Sequence, residues 1–305
     1  MIPPAPTMTP TEFAMLVGIG LVAGVAGGML GIGGSIVMIP AMTVLLGPAQ
    51  HLYQAAAMIV NFFVVVPAVY QHRRARAIHF ATVTRLVPLA VFSVIGGVIF
   101  SELPIFTDDN EVYLRGLFGV FLFWVAATDL YRLLRPSGLV YAAALPGDMP
   151  WLKAAAVAIP TGIVAGLLGV GGGIVAVPLQ RRLLRIPVRI AIANSAATII
   201  AVSVVGATVK NYRLLTSHNY TTEPLVLAAV LIPTAIVGGL LGARLTHRLP
   251  VPVIKAAFAV VLMLASIRIT LGAYQSLPVA TPQTSQAQPS EPAEPLQPAP
   301  PLSDG

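Results

Sequence analysis

Two short runs of glycine contain the residues of this sequence best suited to binding a ligand. They lie in GMLGIGGSIVMIP, residues 28–40, and in GLLGVGGGIVAVP, residues 166–178. If the chain breaks a membrane helix at these glycines, it leaves backbone N–H groups that need a partner, and glycine lets that partner approach closely. The helix after each run directs its positive end towards the break, which favours an oxyanion. The predicted binding residues are Gly31, Gly33, Gly34, Ser35, Gly169, Gly171, Gly172 and Gly173.

Other interpretations of the glycines differ in strength. A nucleotide-binding loop of the Walker type would continue with Lys and Ser or Thr, whereas GIGGS does not, and no β-α-β pattern surrounds it. The spacing through which membrane helices pack closely begins at Gly24 and again at Gly27. We expect packing for single glycines and ligand binding for the duplicated break as a unit. Pro40 and Pro178 are expected to shape the helices that follow.

The composition places these runs inside a membrane protein. Of the 305 residues, 56% are hydrophobic and 10% charged, and the mean hydropathy is +0.85. Soluble domains carry about 25% charged residues. The basic residues behind the net charge of +7 form short clusters between long apolar segments, which is typical of topology signals and not of nucleic-acid binding. We expect a multi-pass protein of the bacterial inner membrane, without nucleic-acid partners.

The two glycine runs belong to an internal repeat. Residues 24–40 align with residues 162–178 without a gap at an offset of 138, and five glycines and the closing proline are identical. The similarity continues, since YQHRRAR at 70–76 resembles VKNYRLL at 209–215 and GGVIFSEL at 96–103 resembles GGLLGARL at 238–245. Such duplication is the usual construction of secondary transporters. The predicted divisions are an N-terminal tail at 1–10, a first membrane repeat at 11–135, a linker at 136–150, a second membrane repeat at 151–273 and a disordered Pro-rich tail at 274–305.

Each half begins with an apolar stretch that is too long for one crossing. The stretches run from about residue 11 to 46 and from 151 to 184, and a straight helix of about 35 residues would extend about 50 Å. If each stretch turns back at its glycines, the arginines at 181–189 and the cluster HRRAR at 72–76 both become cytoplasmic. A hairpin plus three crossings makes the halves inverted repeats whose hairpin tips meet near the midplane. The predicted fold is all-α, with two homologous halves, each a glycine-broken helix or re-entrant hairpin followed by three transmembrane helices.

The repeated pattern resembles that of the TauE/SafE family of sulfite-exporter-like permeases. GLLGVGGGIVAVP is close to the family's GxxxGxGGGxxxxP, whereas Ser35 replaces the third consecutive glycine in the first half. The resemblance covers nearly the whole chain to about residue 273, and it implies a multi-spanning transporter of small anions such as sulfite or sulfoacetate. It also implies a polar pair after the broken helix. In the second half this pair is Asn194 and Ser195, which join the predicted substrate-binding residues, while the first half has Ala55 and Ala56 there.

The predicted function is a secondary transporter that carries sulfite, a sulfonate or another small organic anion by alternating access between the two repeats. The expected partners are the lipid bilayer and the anion; a coupling ion and the oligomeric state are left open, and no cofactor or metal is expected. A non-transporting subunit of a membrane complex is an alternative, and an intramembrane enzyme is a weaker one. Lys210 is expected to anchor at the membrane interface, with attraction of anions as the alternative.

Overall fold

The computed structural model describes residues 8–30, 33–134, 150–217, 222–245 and 251–276. Within these ranges the chain folds into α-helices joined by short turns, and no strand is found there. The predicted linker at 136–150 and tail at 274–305 lie almost wholly outside the described residues. The helices are α1 Pro10–Leu30, α2 Ser35–Leu45, α3 Gln50–Arg74, α4 Phe80–Ser101, α5 Glu111–Leu134, α6 Trp151–Leu168, α7 Gly173–Leu183, α8 Val188–Ser217, α9 Glu223–Leu245 and α10 Val251–Gln275.

Eight of these helices are long and apolar enough to cross a membrane. They are α1, α3, α4, α5, α6, α8, α9 and α10, four in each half of the chain. The other two, α2 and α7, have 11 residues each and follow the two glycine runs. The outer surface exposes large apolar side chains, among them Phe92 at 76% and Leu152 at 82%, as contact with lipid requires. The protein is therefore an all-α, multi-pass integral membrane protein, as the composition predicts.

Each predicted break is a reversal of the chain. In the first half, a Cβ on Gly34 would lie 3.2 Å from the carbonyl oxygen of Ala23, so α2 packs back along α1. In the second half, a Cβ on Gly172 would lie 2.9 Å from the carbonyl oxygen of Thr161, so α7 packs back along α6. The long apolar stretches are thus glycine-broken helical hairpins, and the prediction of a break is confirmed.

Glycines also let helices of the two halves approach each other closely. A Cβ on Gly24 would collide with the carbonyl oxygen of Ala235, and a Cβ on Gly28 with that of Gly239. Because both residue numbers rise together, α1 and α9 run parallel, and the packing role expected for single glycines holds here. α6 runs parallel to α4 through the same kind of contact, which involves Gly97, Gly162 and Gly166.

One end of the bundle, the acidic end, gathers acidic side chains. Glu12 at the start of α1, Leu46 after α2 and Glu223 at the start of α9 line one cavity there. At the same end, His51 in the first turn of α3 lies 3.4 Å from Glu102, which follows α4. The first hairpin therefore has its open end at the acidic end of the bundle.

The opposite end, the basic end, carries the arginine clusters. Asp129 and Arg132 of α5 share a cavity with Arg181 of α7 and with Val188 at the start of α8. The second hairpin has its open end here, because α7 finishes beside this cavity. The arginines of the basic end also include Arg73, Arg74, Arg76, Arg182, Arg185 and Arg189.

Candidate functional site

The tips of the two hairpins lie on either side of one buried amide, the side chain of Asn61 in α3. Its Oδ1 accepts a hydrogen bond from the backbone N–H of Ser35 at 3.3 Å, and its Nδ2 donates to Ser35 Oγ at 2.8 Å. A Cβ on Gly33 would lie 3.0 Å from Oδ1, and a Cβ on Gly171 would lie 2.8 Å from Nδ2. The structure thus brings both predicted glycine runs to the same interior position.

Left-handed backbone accounts for the glycine at four tip positions. A positive φ is disfavoured for residues with a side chain by about 1–2 kcal/mol. Ser35 and Gly173 instead occupy the first residue of α2 and of α7, where the backbone is helical and accepts a side chain. Serine at this place therefore leaves the turn intact and adds a hydroxyl, which Asn61 holds. The four residues with φ between 70° and 87° are Gly33, Gly169, Gly171 and Gly172.

The second tip makes a further contact with α3 at Gln54. A Cβ on Gly169 would lie 2.9 Å from Cβ of Gln54, and Gln54 Nε2 donates to the carbonyl oxygen of Leu167 at 3.1 Å. Gln54 Oε1 is buried and has no hydrogen-bond partner among the described residues. Gln54 and Asn61 are two helical turns apart on one face of α3. α3, a helix of the first half, therefore contacts the tip of the second half through Gln54 and Asn61.

The polar pair predicted in α8 is buried between one and two turns before Ile199, the residue of α8 that meets the second tip. Asn194 Oδ1 accepts a hydrogen bond from the backbone N–H of His79 at 2.8 Å, which fixes the turn before α4. Asn194 Nδ2 and Ser195 Oγ are also buried, and neither hydrogen bonds to a residue that the structure describes. One turn further along α8, Ile199 Cγ2 would lie 3.6 Å from a Cβ on Gly171. α8 thus reaches the second tip, while the hydrogen bond that the pair makes is to the turn before α4.

The remaining predicted residues lie close to the same tips. Gly31 falls outside the described residues. Gly34 has φ of −85° and caps α2. Pro40 and Pro178 lie at corresponding positions inside α2 and α7, and their helix-shaping role stays a prediction.

A cavity of about 250 Å³ reaches the first tip from the basic end. Its wall includes Gly33 at the tip and Gln71 and His72 near the end of α3. On the acidic side of Asn61 the contact between α3 and α8 is tight, since a Cβ on Gly206 would lie 3.2 Å from Met58 Sδ. The cavity therefore extends from the first tip to residues of the basic end, while α3 and α8 pack closely on the other side.

A buried cluster of charged and polar groups lies at the acidic end. Lys210 of α8 forms an ion pair with Glu102, and its Nζ lies 2.6 Å from His51 Nδ1 and 3.0 Å from Ser101 Oγ. The lysine is 0% exposed, so the expectation that it anchors at the membrane interface is wrong. The physical reason is the carboxylate, which gives the ammonium a partner in the interior.

The pKa of Glu102 reflects the competition between burial and these neighbours. Desolvation raises the pKa, but the interactions with His51 and Lys210 outweigh it and lower the pKa from 4.5 to about 2. Because the lowered pKa belongs to the folded state, the carboxylate stabilises the fold fully above pH about 4.5. That contribution is lost as the pH falls through about 2.

Sequence reasoning missed Asn61 and the charged cluster, for different reasons. Asn61 stands alone in the apolar run MIVNFFVVV, and a lone polar residue in the middle of a span was a usable signal. His51 and Lys210 are 159 residues apart, and no spacing rule connects them. Within the described residues, no three His, Asp or Glu side chains are grouped as a metal site would require.

Comparisons with known proteins agree with the fold. Residues 16–269 match the family model described as sulfite exporter TauE/SafE. The chain is 31% identical to the probable membrane transporter protein MamO of Magnetospirillum gryphiswaldense over 84% of this chain and 45% of the relative. It is 30% identical to the protein of the same name from Paramagnetospirillum magneticum, over 80% of this chain and 42% of the relative.

A shorter relative is matched along nearly all of its length. The probable membrane transporter protein YunE of Bacillus subtilis is 25% identical over 83% of this chain and 95% of its own length. The chain thus spans less than half of the two MamO proteins. No solved structure matches. Because the family model covers most of the chain, this protein belongs to the sulfite exporter TauE/SafE family.

Proposed function

We propose that this protein is a secondary transporter that moves a small anion, such as sulfite or a sulfonate, across the inner membrane by alternating access. The observation that carries the proposal is the approach of two glycine tips to Asn61, where the first tip lines a cavity that extends to the basic end. Membership in the family and the names of the relatives, which are probable membrane transporters, support this class of function. Transport needs no bond-breaking step, and we propose no enzymatic activity.

The proposed anion site lies between the two tips. Gly33 and Gly171 present backbone without side chains there, and Ser35 and Asn61 add a hydroxyl and an amide. α2 and α7 both begin at the tips, so their positive ends favour an anion. All these groups are uncharged. Neutral donors hold an anion weakly enough to release it on the other side.

We also propose that the two halves are inverted repeats. The first hairpin opens to the acidic end and the second to the basic end, while α1 runs parallel to α9 as α6 runs parallel to α4. A two-fold axis in the membrane plane would superpose the first half on the second, with α1 on α6, α4 on α9 and one end of the bundle on the other, which agrees with these contacts. The positive-inside rule puts the basic end in the cytoplasm. The conformation described would then face the cytoplasm.

Counterflow into proteoliposomes tests the proposal. Vesicles preloaded with unlabelled sulfite, sulfoacetate or acetate receive the same anion in radiolabelled form, and uptake above that of protein-free vesicles is expected for at least one. The double variant Gly171→Leu with Gly172→Leu should abolish this uptake, because both positions have positive φ and close neighbours. The matched control is Gly18→Leu with Gly96→Leu, two helical glycines with no atom within 4 Å of an added Cβ.

The outcomes separate the two parts of the proposal. Absence of counterflow for all three anions in the unmodified protein would rule out a small-anion transporter of this class. Counterflow that survives the tip variant, with insertion of both variants checked in the membrane fraction, would place the anion site away from the tips.

A further inference from the structure

Three titratable side chains meet in the acidic-end cluster, which consists of His51, Glu102 and Lys210. They come from α3, from the turn after α4 and from α8, so the cluster joins the first half to the second. Another acid faces it from α5, because the Glu111 carboxylate accepts the backbone N–H of His51 at 3.1 Å. Glu223 of α9 lies in the neighbouring cavity. The proposed anion site uses none of these groups.

The hydrogen bonds of His51 define what an added proton would displace. Its Nε2 lies 2.8 Å from the carbonyl oxygen of Phe106, which can only accept, so Nε2 carries the hydrogen and Nδ1 presents its lone pair to the Lys210 ammonium. Glu102 directs a carboxylate oxygen to the same ammonium. A proton at Nδ1 or at the carboxylate therefore competes with Lys210. Once bound, it leaves a buried ammonium short of an acceptor, which favours separation of the halves at this end.

The cluster lies at one end of the contact between α3 and α8. His51 contacts Lys210 at the acidic end, and Met58, two turns further along α3, lies next to Gly206. Because one residue number rises as the other falls, the two helices run antiparallel. About 15 Å of helix separates His51 from Asn61, so the cluster and the tips lie along the same contact.

Two buried polar side chains lie along α3 and α8 between the cluster and the tips. Gln54 lies between His51 and Asn61 on α3, and Ser203 lies two turns before Lys210 on the same face of α8. Gln54 is 0% exposed and Ser203 is 1% exposed. Gln54 Oε1 and Ser203 Oγ make no hydrogen bond to any residue within the described ranges. Buried polar atoms of this kind are where water binds, and water joined to them can conduct a proton.

The repeat alignment places different residues at the basic end. In this alignment Gln71 occupies the position of Lys210, and Arg244 occupies the position of Glu102. Gln71 lines the cavity that is open in this conformation, whereas Lys210 is buried in the closed contact. A titratable ion pair therefore belongs to the gate at the acidic end, where protons outside the cell would reach it.

We propose that the proton is the coupling ion of the transporter and that the cluster of His51, Glu102 and Lys210 binds it. When the acidic end is open, the proton occupies His51 Nδ1 or a Glu102 carboxylate oxygen. When this end closes, the Lys210 ammonium takes both acceptors, and the proton leaves past Gln54 and Ser203 towards the tips and the cytoplasmic cavity. The inference rests on the proposed transport function and names its coupling ion.

Accumulation in proteoliposomes under an imposed pH difference tests the coupling. The probe is sulfoacetate, because its sulfonate stays ionised and cannot cross the lipid as a neutral acid, and the membrane potential is held constant. With one proton coupled to each anion, one unit of pH difference should change the steady-state accumulation about tenfold. The triple variant His51→Asn with Glu102→Gln and Lys210→Gln should respond no more than protein-free vesicles, while the control Glu223→Gln, an acid of the same end outside the cluster, should respond as the unmodified protein does.

These results distinguish failure of the inference from failure of the proposed function. Counterflow with no response to the pH difference in the unmodified protein would exclude proton coupling and leave anion transport intact. No counterflow with any of the three anions would remove the transport function itself. A triple variant that still responds by about tenfold would place the proton site outside the cluster.

Cysteine labelling tests the gate without relying on flux. The chain has no cysteine, so Met58→Cys, at the tight contact between the cluster and the tips, introduces a single thiol. A membrane-impermeant maleimide added from the outside should label it faster at pH 5 than at pH 8, the range in which histidine changes charge. In the background of His51→Asn with Glu102→Gln and Lys210→Gln, the two rates should be equal once corrected for the pH dependence of a free thiol. Equal corrected rates in the otherwise unmodified chain would overturn the inference.

Discussion

Gly171 is the position at which one added methyl group tests the tip most directly. Its φ is 70°, and a Cβ would lie 2.8 Å from Asn61 Nδ2. Alanine in this left-handed conformation costs about 1–2 kcal/mol. The contact also forces the Asn61 amide to move and breaks its two hydrogen bonds to Ser35, which together contribute about 1–2 kcal/mol. We expect a total cost of about 2–4 kcal/mol for Gly171→Ala.

The effect on transport follows if the tip must keep its shape while it binds the anion. A cost of about 2–4 kcal/mol in that step lowers the rate by about 30-fold to 1,000-fold. The assay is the initial rate of anion counterflow, divided by the amount of protein in the vesicles. Gly96→Ala in α4 is the control, because no atom lies within 4 Å of its added Cβ and alanine stabilises a helix by about 0.5–1 kcal/mol.

Two results would refute this reasoning in different ways. Equal counterflow rates for Gly171→Ala and Gly96→Ala would show that the tip does not confine the anion. A loss of counterflow that matches a loss of folded protein, measured by thermal unfolding in detergent, would assign Gly171 to packing alone.

Four further perturbations address the other parts of the structure. Lys210→Met leaves Glu102 buried without its ion-pair partner and should lower the free energy of unfolding by about 3–5 kcal/mol, and adding Glu102→Gln should restore most of this in the same thermal series. The unmodified protein should also lose stability between pH about 4.5 and about 2, a loss that should be smaller in Glu102→Gln. Asn61→Leu removes both hydrogen bonds to the first tip and should abolish counterflow of the transported anion in vesicles that contain the inserted protein. A cysteine introduced at position 183 should be labelled from the cytoplasm and one at position 215 from outside; external labelling of position 183 would exclude the proposed topology.

The helices and their breaks could be predicted because they depend on local composition. Lipid selects long apolar segments, and backbone with positive φ selects glycine at Gly33 and Gly171. The same reasoning explains why Ser35 was hard to interpret from sequence. Ser35 and its counterpart Gly173 are each the first residue of a helix, so the exchange of glycine for serine does not change the turn. Only the contact with Asn61 shows what the hydroxyl does.

The charged cluster could not be predicted, because it depends on how the two halves pack. His51 and Lys210 come from α3 and α8, whose contact is set by side chains spread along both helices. By hydropathy alone, a lysine near the end of a span is unfavourable inside the membrane and is expected at its surface. In the structure Lys210 is instead paired with Glu102. Sequence records that a polar group is present in a membrane helix and leaves its partner unknown.

The polar groups of the two halves differ more than their backbones do, and this difference bears on the direction of transport. The first tip has Ser35 held by Asn61, while α8 carries Asn194 and Ser195 where α3 has alanines. A carrier with identical halves would present the same site and the same gate to both sides of the membrane. Here the gate at the acidic end contains a titratable cluster, and the opposite gate carries Gln71 at the position aligned with Lys210. Under the proposed coupling, protons from outside act on the cluster at the acidic end, so the pH difference across the membrane sets the direction of net transport.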